Sequence, residues 1–334
     1  MIQTTRSPDC TPNSCVLTGS STIPAQRGGD RPASRVPKEY VHLSFEDKVY
    51  VTDWQRLDAT RFLVTAVWRA GTSTSVPGGR HRHESVIAAQ TVRQASLLLA
   101  HAEFGAPLKH QVLLRGFDFA FDPRRPGAVE QDAHLAIEVT CAPTGSRAGR
   151  TTGLRLTLDI TCDGEPFGSA RTAFEWIPPA VYRRLRGDHV EAVREQPPLP
   201  APVPPHLVGR ETEAEVVLSP LHGASEGPGR WLLRGDFTHV ALFDHPVDHL
   251  PGLVMIEAAH QAARLVTAPE VFVPESVETT FDRYVEFDAP CTIDAERVAD
   301  SAPGTTAVRV TGYQGGELAF TCVLTGASGP ARGL

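Results

Sequence analysis

The chain has 334 residues, 41% hydrophobic and 21% charged, enough apolar content to pack two ordinary domains or one domain duplicated. Its formal net charge of −7 comes without a long basic run, which excludes nucleic acid as the main partner, because phosphate backbones are bound by clustered Lys and Arg. No stretch nears the roughly 20 apolar residues that span a bilayer, and Met1 to Thr5 lacks the basic-then-apolar order of a secretory leader. With six scattered cysteines (Cys10, Cys15, Cys141, Cys162, Cys291, Cys322) and no Cys-x-x-Cys pair, a reduced, cytoplasmic protein without membrane contact is expected.

Residues 1–36, rich in Ser, Thr, Pro, Gly and Arg, read as a mobile tail. In 37–187 the strand-like runs Lys48–Asp53 and Phe62–Trp68 precede a long apolar helix, Val86–His101. Strands at Val112–Phe121, Leu135–Thr140, Leu154–Thr161 and Gly168–Trp176 follow. Residues 188–206 form an extended linker, with six prolines between Gln196 and Pro205. The block 207–328 repeats the order: Glu215–Ser219, Trp231–Phe237, a helix over Leu253–Val266, then Ser276–Phe287, Ala307–Gln314 and Glu317–Leu324.

The two blocks align at a nearly constant offset. Gln90 falls on Glu257 and Gln94 on Gln261 at 167; Val49–Thr52 falls on Val216–Ser219 at the same spacing; Phe121-Asp122 falls on Phe287-Asp288 at 166. Each helix is apolar over most of its circumference, so each is buried on most sides. One buried helix per strand-rich block predicts an α+β fold: a tandem double hot-dog, each repeat an antiparallel sheet wrapped around one long central helix.

The lead-in to the second helix, Phe243-Asp-His-Pro-Val-Asp-His-Leu-Pro-Gly252, starts it at a Pro-Gly whose following amides are unpaired and suited to an oxyanion. Glu257 and Gln261 are spaced i, i+4 and share a face, with His260 alongside. A carboxylate in so apolar a helix is a natural site for a raised pKa. The run His-x-x-x-His-x-Pro-Gly-x-x-x-x-Glu-Ala resembles the active-site helix of β-hydroxyacyl-carrier-protein dehydratases. The dehydratase histidine, however, would fall on Phe243, with His245 and His249 nearer the helix.

A fuller resemblance covers nearly the whole ordered chain. Gly78-Gly-Arg-His81, Thr91-Val-Arg-Gln-Ala95, His101-Ala-Glu-Phe-Gly105 and Phe243–Glu257 together are similar to the A-factor (γ-butyrolactone autoinducer) synthase family. The resemblance implies an acyltransferase whose partners are a β-ketoacyl-acyl carrier protein and dihydroxyacetone phosphate. The product would be an ester precursor of a butyrolactone, butenolide or furan signal. Catalytic candidates are Glu257, His260, His245 and His249; substrate-binding candidates are Gln90, Arg93, Gln94, Gly252, Gln261 and Arg80.

The chain departs from the family at Gln90, where Glu is usual, and at His260, where Arg is usual. Arg93 is left with two roles, holding a phosphate or pairing with Glu257 across the pseudo-twofold axis. Gly78-Gly79-Arg80 reads as a phosphate loop or a plain turn. His81 and His83 have no cysteine or carboxylate cluster nearby, so neither metal nor cofactor is expected. Arg183, Arg184 and Arg186 form a candidate basic patch for the carrier. Dehydration or hydrolysis of a thioester, a degenerate acyl-binding regulator, and pairing of two chains into a homodimer stay open as alternatives.

Overall fold

In the computed structural model the described residues are 36–70, 84–122, 131–191, 193–221, 229–239, 242–298 and 304–329. The first repeat contributes β1 (Val51–Arg56), β2 (Arg61–Trp68), α1 (Glu84–Ala102), β3 (Gln111–Phe121), β4 (Ala133–Arg147), β5 (Arg150–Cys162) and β6 (Glu165–Ile177), and α2 (Pro179–Arg186) follows it. The second contributes β7 (Leu218–Pro220), β8 (Arg230–Leu233), α3 (Gly252–Thr267), β9 (Val271–Phe281), β10 (Cys291–Val298), β11 (Thr305–Gln314) and β12 (Glu317–Gly329).

The strands form with a period of two. In β5 Leu154, Leu156, Leu158 and Ile160 are buried while Arg155, Thr157 and Asp159 are exposed. All twelve join one antiparallel sheet in the order β1-β2-β4-β5-β6-β3-β9-β12-β11-β10-β8-β7. Read from either end, that order is the same list of elements. The halves meet where β3 pairs with β9, from Gly116 opposite Thr280 to Ala120 opposite Ser276. This is the double hot-dog, and the described residues belong to one compact unit. Among the described residues no helix is long and apolar enough to cross a membrane.

Each half buries its helix with one shared device. The Gln94 side chain accepts from Tyr50 N (2.7 Å) and donates to Lys48 O (2.9 Å). Gln261 accepts from Val217 N (3.0 Å) and donates to Glu215 O (2.8 Å). Every partner is displaced by the same 167 residues. These glutamines satisfy backbone that enters the first strand of each repeat, where a buried unpaired amide or carbonyl is costly.

Several expected boundaries shift. Phe121 and Phe281 are the last residues of β3 and β9, so they correspond, and Phe287 lies beyond the strand. The offset contracts because residues 268–270 link α3 to β9 where 103–110 link α1 to β3. β8 stops at Leu233, and past it the Asp236 carboxylate gathers Arg234 Nη2 (2.9 Å) and Thr238 N (2.9 Å) into a turn. β10 was not expected; its Asp294, Glu296 and Arg297 hide the inward Cys291 and Ile293. The proline-rich segment is extended and tied to the second repeat, with Val203 N donating to Leu218 O (3.0 Å) and Gln196 Oε1 accepting from Phe237 N (2.7 Å).

Candidate active site

From Val86 to His101 the only residues of α1 that are not buried are Gln90 and Arg93. They open onto a cavity of about 470 Å³ shared with the lead-in and first turn of α3. One part of its wall is apolar, from Leu97, Val112, Leu114, Phe117, Phe174 and Ile256; the polar part includes Gln90, Arg93, His42, His245, His249 and Gly252.

Arg93 is partly buried. Its Nη1 donates to Val41 O (3.2 Å) and Gln90 Oε1 (3.4 Å), and among the described residues no carboxylate lies within ion-pair distance. Burial pulls its guanidinium down to about 10, with the charge of Asp244 opposing, so it stays cationic at neutral pH. A guanidinium supported only by neutral oxygens keeps its charge for a ligand. Nearby, His42 Nε2 meets His101 Nε2 at 2.8 Å, and His101 Nδ1 donates to Ala106 O (2.7 Å). Burial, with Arg93 and His101 beside it, drives His42 down to about 3, so it faces the cavity uncharged.

His249 is held more tightly than His245. Asp248 Oδ1 accepts from His249 Nδ1 (2.6 Å), and the ring stands edge-on to Tyr284 at 4.6 Å. Burial pushes the Asp248 carboxyl up, but hydrogen bonds from His249 and Tyr182 and the charge of Arg186 outweigh it and hold it at about 2. An ionised carboxylate only accepts, so Nδ1 carries a proton, and in the neutral ring the lone pair then sits on Nε2. His245 makes a longer bond, 3.2 Å, to Asp244 Oδ2.

Pro251 caps α3 in an extended conformation without a side-chain bond. Val254 N turns back to Pro251 O (2.9 Å), and among the described residues nothing accepts from the amides of Gly252 and Leu253. A Cβ on Gly252 would lie 3.1 Å from the Phe281 ring, so glycine lets the helix start this close to β9. Amides at a helix start that have no acceptor are suited to an anion, and these two share the cavity with His249.

An adjoining face of α3 is different. Glu257 is 1% exposed and does not line the cavity. Its Oε1 accepts from Arg210 Nε (2.8 Å) and Nη2 (2.5 Å) and from Gln261 Nε2 (2.5 Å). Burial raises its pKa, but Arg210, then His260 and Gln261, more than compensate and set it below the ordinary value, opposite to expectation. His260 Nδ1 donates to Ile256 O (2.8 Å), its Nε2 is shut off from solvent, and burial lowers its pKa.

The structure therefore brings Gln90, Arg93, His245, His249 and Gly252 together and sets Glu257, His260 and Gln261 apart. Gln94 and Gln261, at 0% and 1% exposure, do not line the cavity: Gln94 is spent on backbone, Gln261 on backbone and on Glu257. The partner of Glu257 is Arg210, not Arg93. Arg80, with Gly78, Gly79, His81 and His83, lies outside the described residues. Arg183 and Arg184 are exposed, but Arg186 is buried, which removes it from the expected surface patch. Sequence reasoning missed His42, Asp248, Tyr182 and Arg210. Asp248 had a signal, because an acid next to a histidine in a loop is a ready-made orienting pair.

The model of the A-factor biosynthesis hotdog domain matches residues 25–178 and again 192–328. A 2-oxo-3-(phosphooxy)propyl 3-oxoalkanoate synthase of Streptomyces virginiae is 39% identical over 87% of this chain and 97% of its own length. Proteins of the same name from Streptomyces coelicolor and Streptomyces griseus are 37% and 36% identical over 90% and 86% of this chain, and 94% of each relative. Among solved structures, a hot-dog protein from Alicyclobacillus acidocaldarius is 15% identical over 88% of this chain and 98% of that one, with a TM-score of 0.46. The 12:0-ACP thioesterase of Umbellularia californica is 10% identical over 80% and 94%, with a TM-score of 0.46. Likenesses at that level carry no argument about activity. With both repeats matched and relatives aligned over nearly their whole length, this chain belongs to the A-factor biosynthesis hotdog family.

Proposed function

We propose that the chain is an acyltransferase that joins a 3-oxoacyl group, delivered as a thioester on acyl carrier protein, to the hydroxyl of dihydroxyacetone phosphate. The observation that carries this reading is the cavity, which sets an apolar wall beside a cation without a carboxylate partner and a histidine with its base nitrogen free. The relatives' name describes the ester of these two components.

In this reading the acyl chain lies along Leu97, Val112, Leu114 and Phe117, and Arg93 takes the phosphate. The amides of Gly252 and Leu253 donate to the thioester carbonyl oxygen as it becomes an oxyanion. His249 Nε2 removes the hydroxyl proton as the new C–O bond forms. The C–S bond then breaks, and the same proton passes from His249 to the departing thiolate. The ester is a precursor of a γ-butyrolactone-type signal, and a carrier-bound donor is in keeping with a cytoplasmic reaction.

Mass spectrometry of the protein with a 3-oxoacyl thioester and dihydroxyacetone phosphate tests this reading. A new phosphorylated ester is expected, with kcat falling on the order of 100-fold in His249→Ala. Release of free acid alone, or full activity in that variant, refutes the reading.

A further inference from the structure

Arg186, the last residue of α2, is 5% exposed although Arg183 and Arg184 beside it face solvent. All three nitrogens of its guanidinium meet protein oxygens. Nη1 and Nη2 clasp Glu286, the latter at 2.7 Å; Nη2 also reaches Asp248 O (2.9 Å) and His189 O (3.2 Å). Nε reaches Asp248 Oδ2 at 3.3 Å, and the plane lies 4.2 Å over the Tyr284 ring, the ring against which His249 stands. Tyr182, one turn earlier on the same face of α2, donates to the same Asp248 Oδ2 at 2.5 Å.

Each of the three nitrogens of Arg186 meets a protein oxygen and the side chain is buried, so it is not a ligand-binding cation. What it does is restrict Asp248. With Oδ2 filled by Tyr182 and Arg186, only Oδ1 faces His249, and the backbone carbonyl of Asp248 is pinned by the same guanidinium. The carboxylate can neither rotate away nor offer a proton. We propose that Arg186 and Tyr182 are positioning residues which, through Asp248, fix the tautomer and orientation of His249, so that α2 is part of the proton-transfer machinery of the cavity. The proposal rests on the ester-forming reading, in which His249 is the base. The logic is that of any histidine base oriented by a buried acid: the acid need not move a proton to decide which nitrogen has one.

The test is nitrogen-15 NMR of the His249 ring in the free protein, followed by steady-state ester formation, for wild type, Tyr182→Phe, Arg186→Lys and Asp248→Asn. Wild type should show a proton on Nδ1. Tyr182→Phe keeps the ring and its packing, loses one hydrogen bond, and should populate both tautomers with kcat down about tenfold. Asp248→Asn can turn its amide toward Nδ1, should favour the opposite tautomer, and should lose on the order of 100-fold in kcat. KM for dihydroxyacetone phosphate should move little in either, because Arg93 is untouched; Arg186→Lys extends the series where it folds. A proton kept on Nδ1 with full kcat in both Tyr182→Phe and Asp248→Asn overturns the proposal, and so does a changed tautomer with unchanged kcat. Because the tautomer is read without substrate, a wild-type protein that forms no ester refutes the assigned reaction separately, and the spectra still decide whether α2 positions the ring.

Discussion

Helices α1 and α3 occupy equivalent places in the two repeats, and the same three positions carry their inward polar groups: Gln90, Arg93 and Gln94 on one, Glu257, His260 and Gln261 on the other. The shared glutamine makes the same clamp in both. The other two positions separate the helices. A neutral amide at 90 leaves Arg93 with carbonyl acceptors only, and the face stays open. A carboxylate at 257 draws in Arg210 from 47 residues away, and the face closes on a buried ion pair. Gln90 and Arg93 line the cavity, whereas Glu257 is buried against Arg210.

The hardest blow to this contrast is Glu257→Gln. It strands Arg210 in the interior, and should cost about 3–5 kcal/mol of stability in denaturant unfolding. Ester formation should fall only as the folded fraction falls; lost turnover in a fully folded variant would make the closed face chemical after all. The gap has a pH signature. The folded-state pKa of Glu257 lies below its ordinary 4.5, so its stabilisation is complete above that value and disappears as pH falls through the lower folded-state value. Wild type and variant should therefore converge in strong acid.

On the open face Arg93→Met should raise KM for dihydroxyacetone phosphate by about 2 kcal/mol, roughly 30-fold, with the fold intact. A KM that does not move would take the phosphate elsewhere. Gln94→Leu and Gln261→Leu probe what the helices share, and should each cost about 1–3 kcal/mol by leaving strand-entry backbone unpaired. Gln261→Leu should cost the more, because it also removes a donor from Glu257; a costlier Gln94→Leu would show that the two clamps are not equivalent. The finest test is Gln90→Glu, which offers Arg93 a carboxylate. It should raise the same KM about tenfold by pairing with the guanidinium, turning the open face part-way into the closed one.

Much of this architecture is readable from sequence because it depends on periodicity. The constant offset places both helices and pairs Gln94 with Gln261, and the i, i+4 spacing correctly puts Glu257 and Gln261 on one face. Periodicity does not say which face. A helix buried nearly all round has no polar side to mark the cavity, so Glu257 reads as exposed to substrate when it is Ile256, one residue back, that lines the wall. Arg210 and Arg186 were illegible for another reason. Each becomes buried through partners distant in the chain, Glu257 for one and Asp248 and Glu286 for the other, and no local pattern separates such an arginine from a surface neighbour such as Arg184.

The joint at β3 and β9 has a further consequence. In a dimer of identical chains every substitution appears twice, so a residue suited to catalysis in one half must be tolerated in the other. Here the halves are one polypeptide, and positions 90 and 257 are free to drift apart. One position can close on an ion pair with Arg210 while its counterpart stays open beside Arg93, and both repeats still contribute to one cavity. Division of labour of that kind is available only to a pair that is no longer obliged to match.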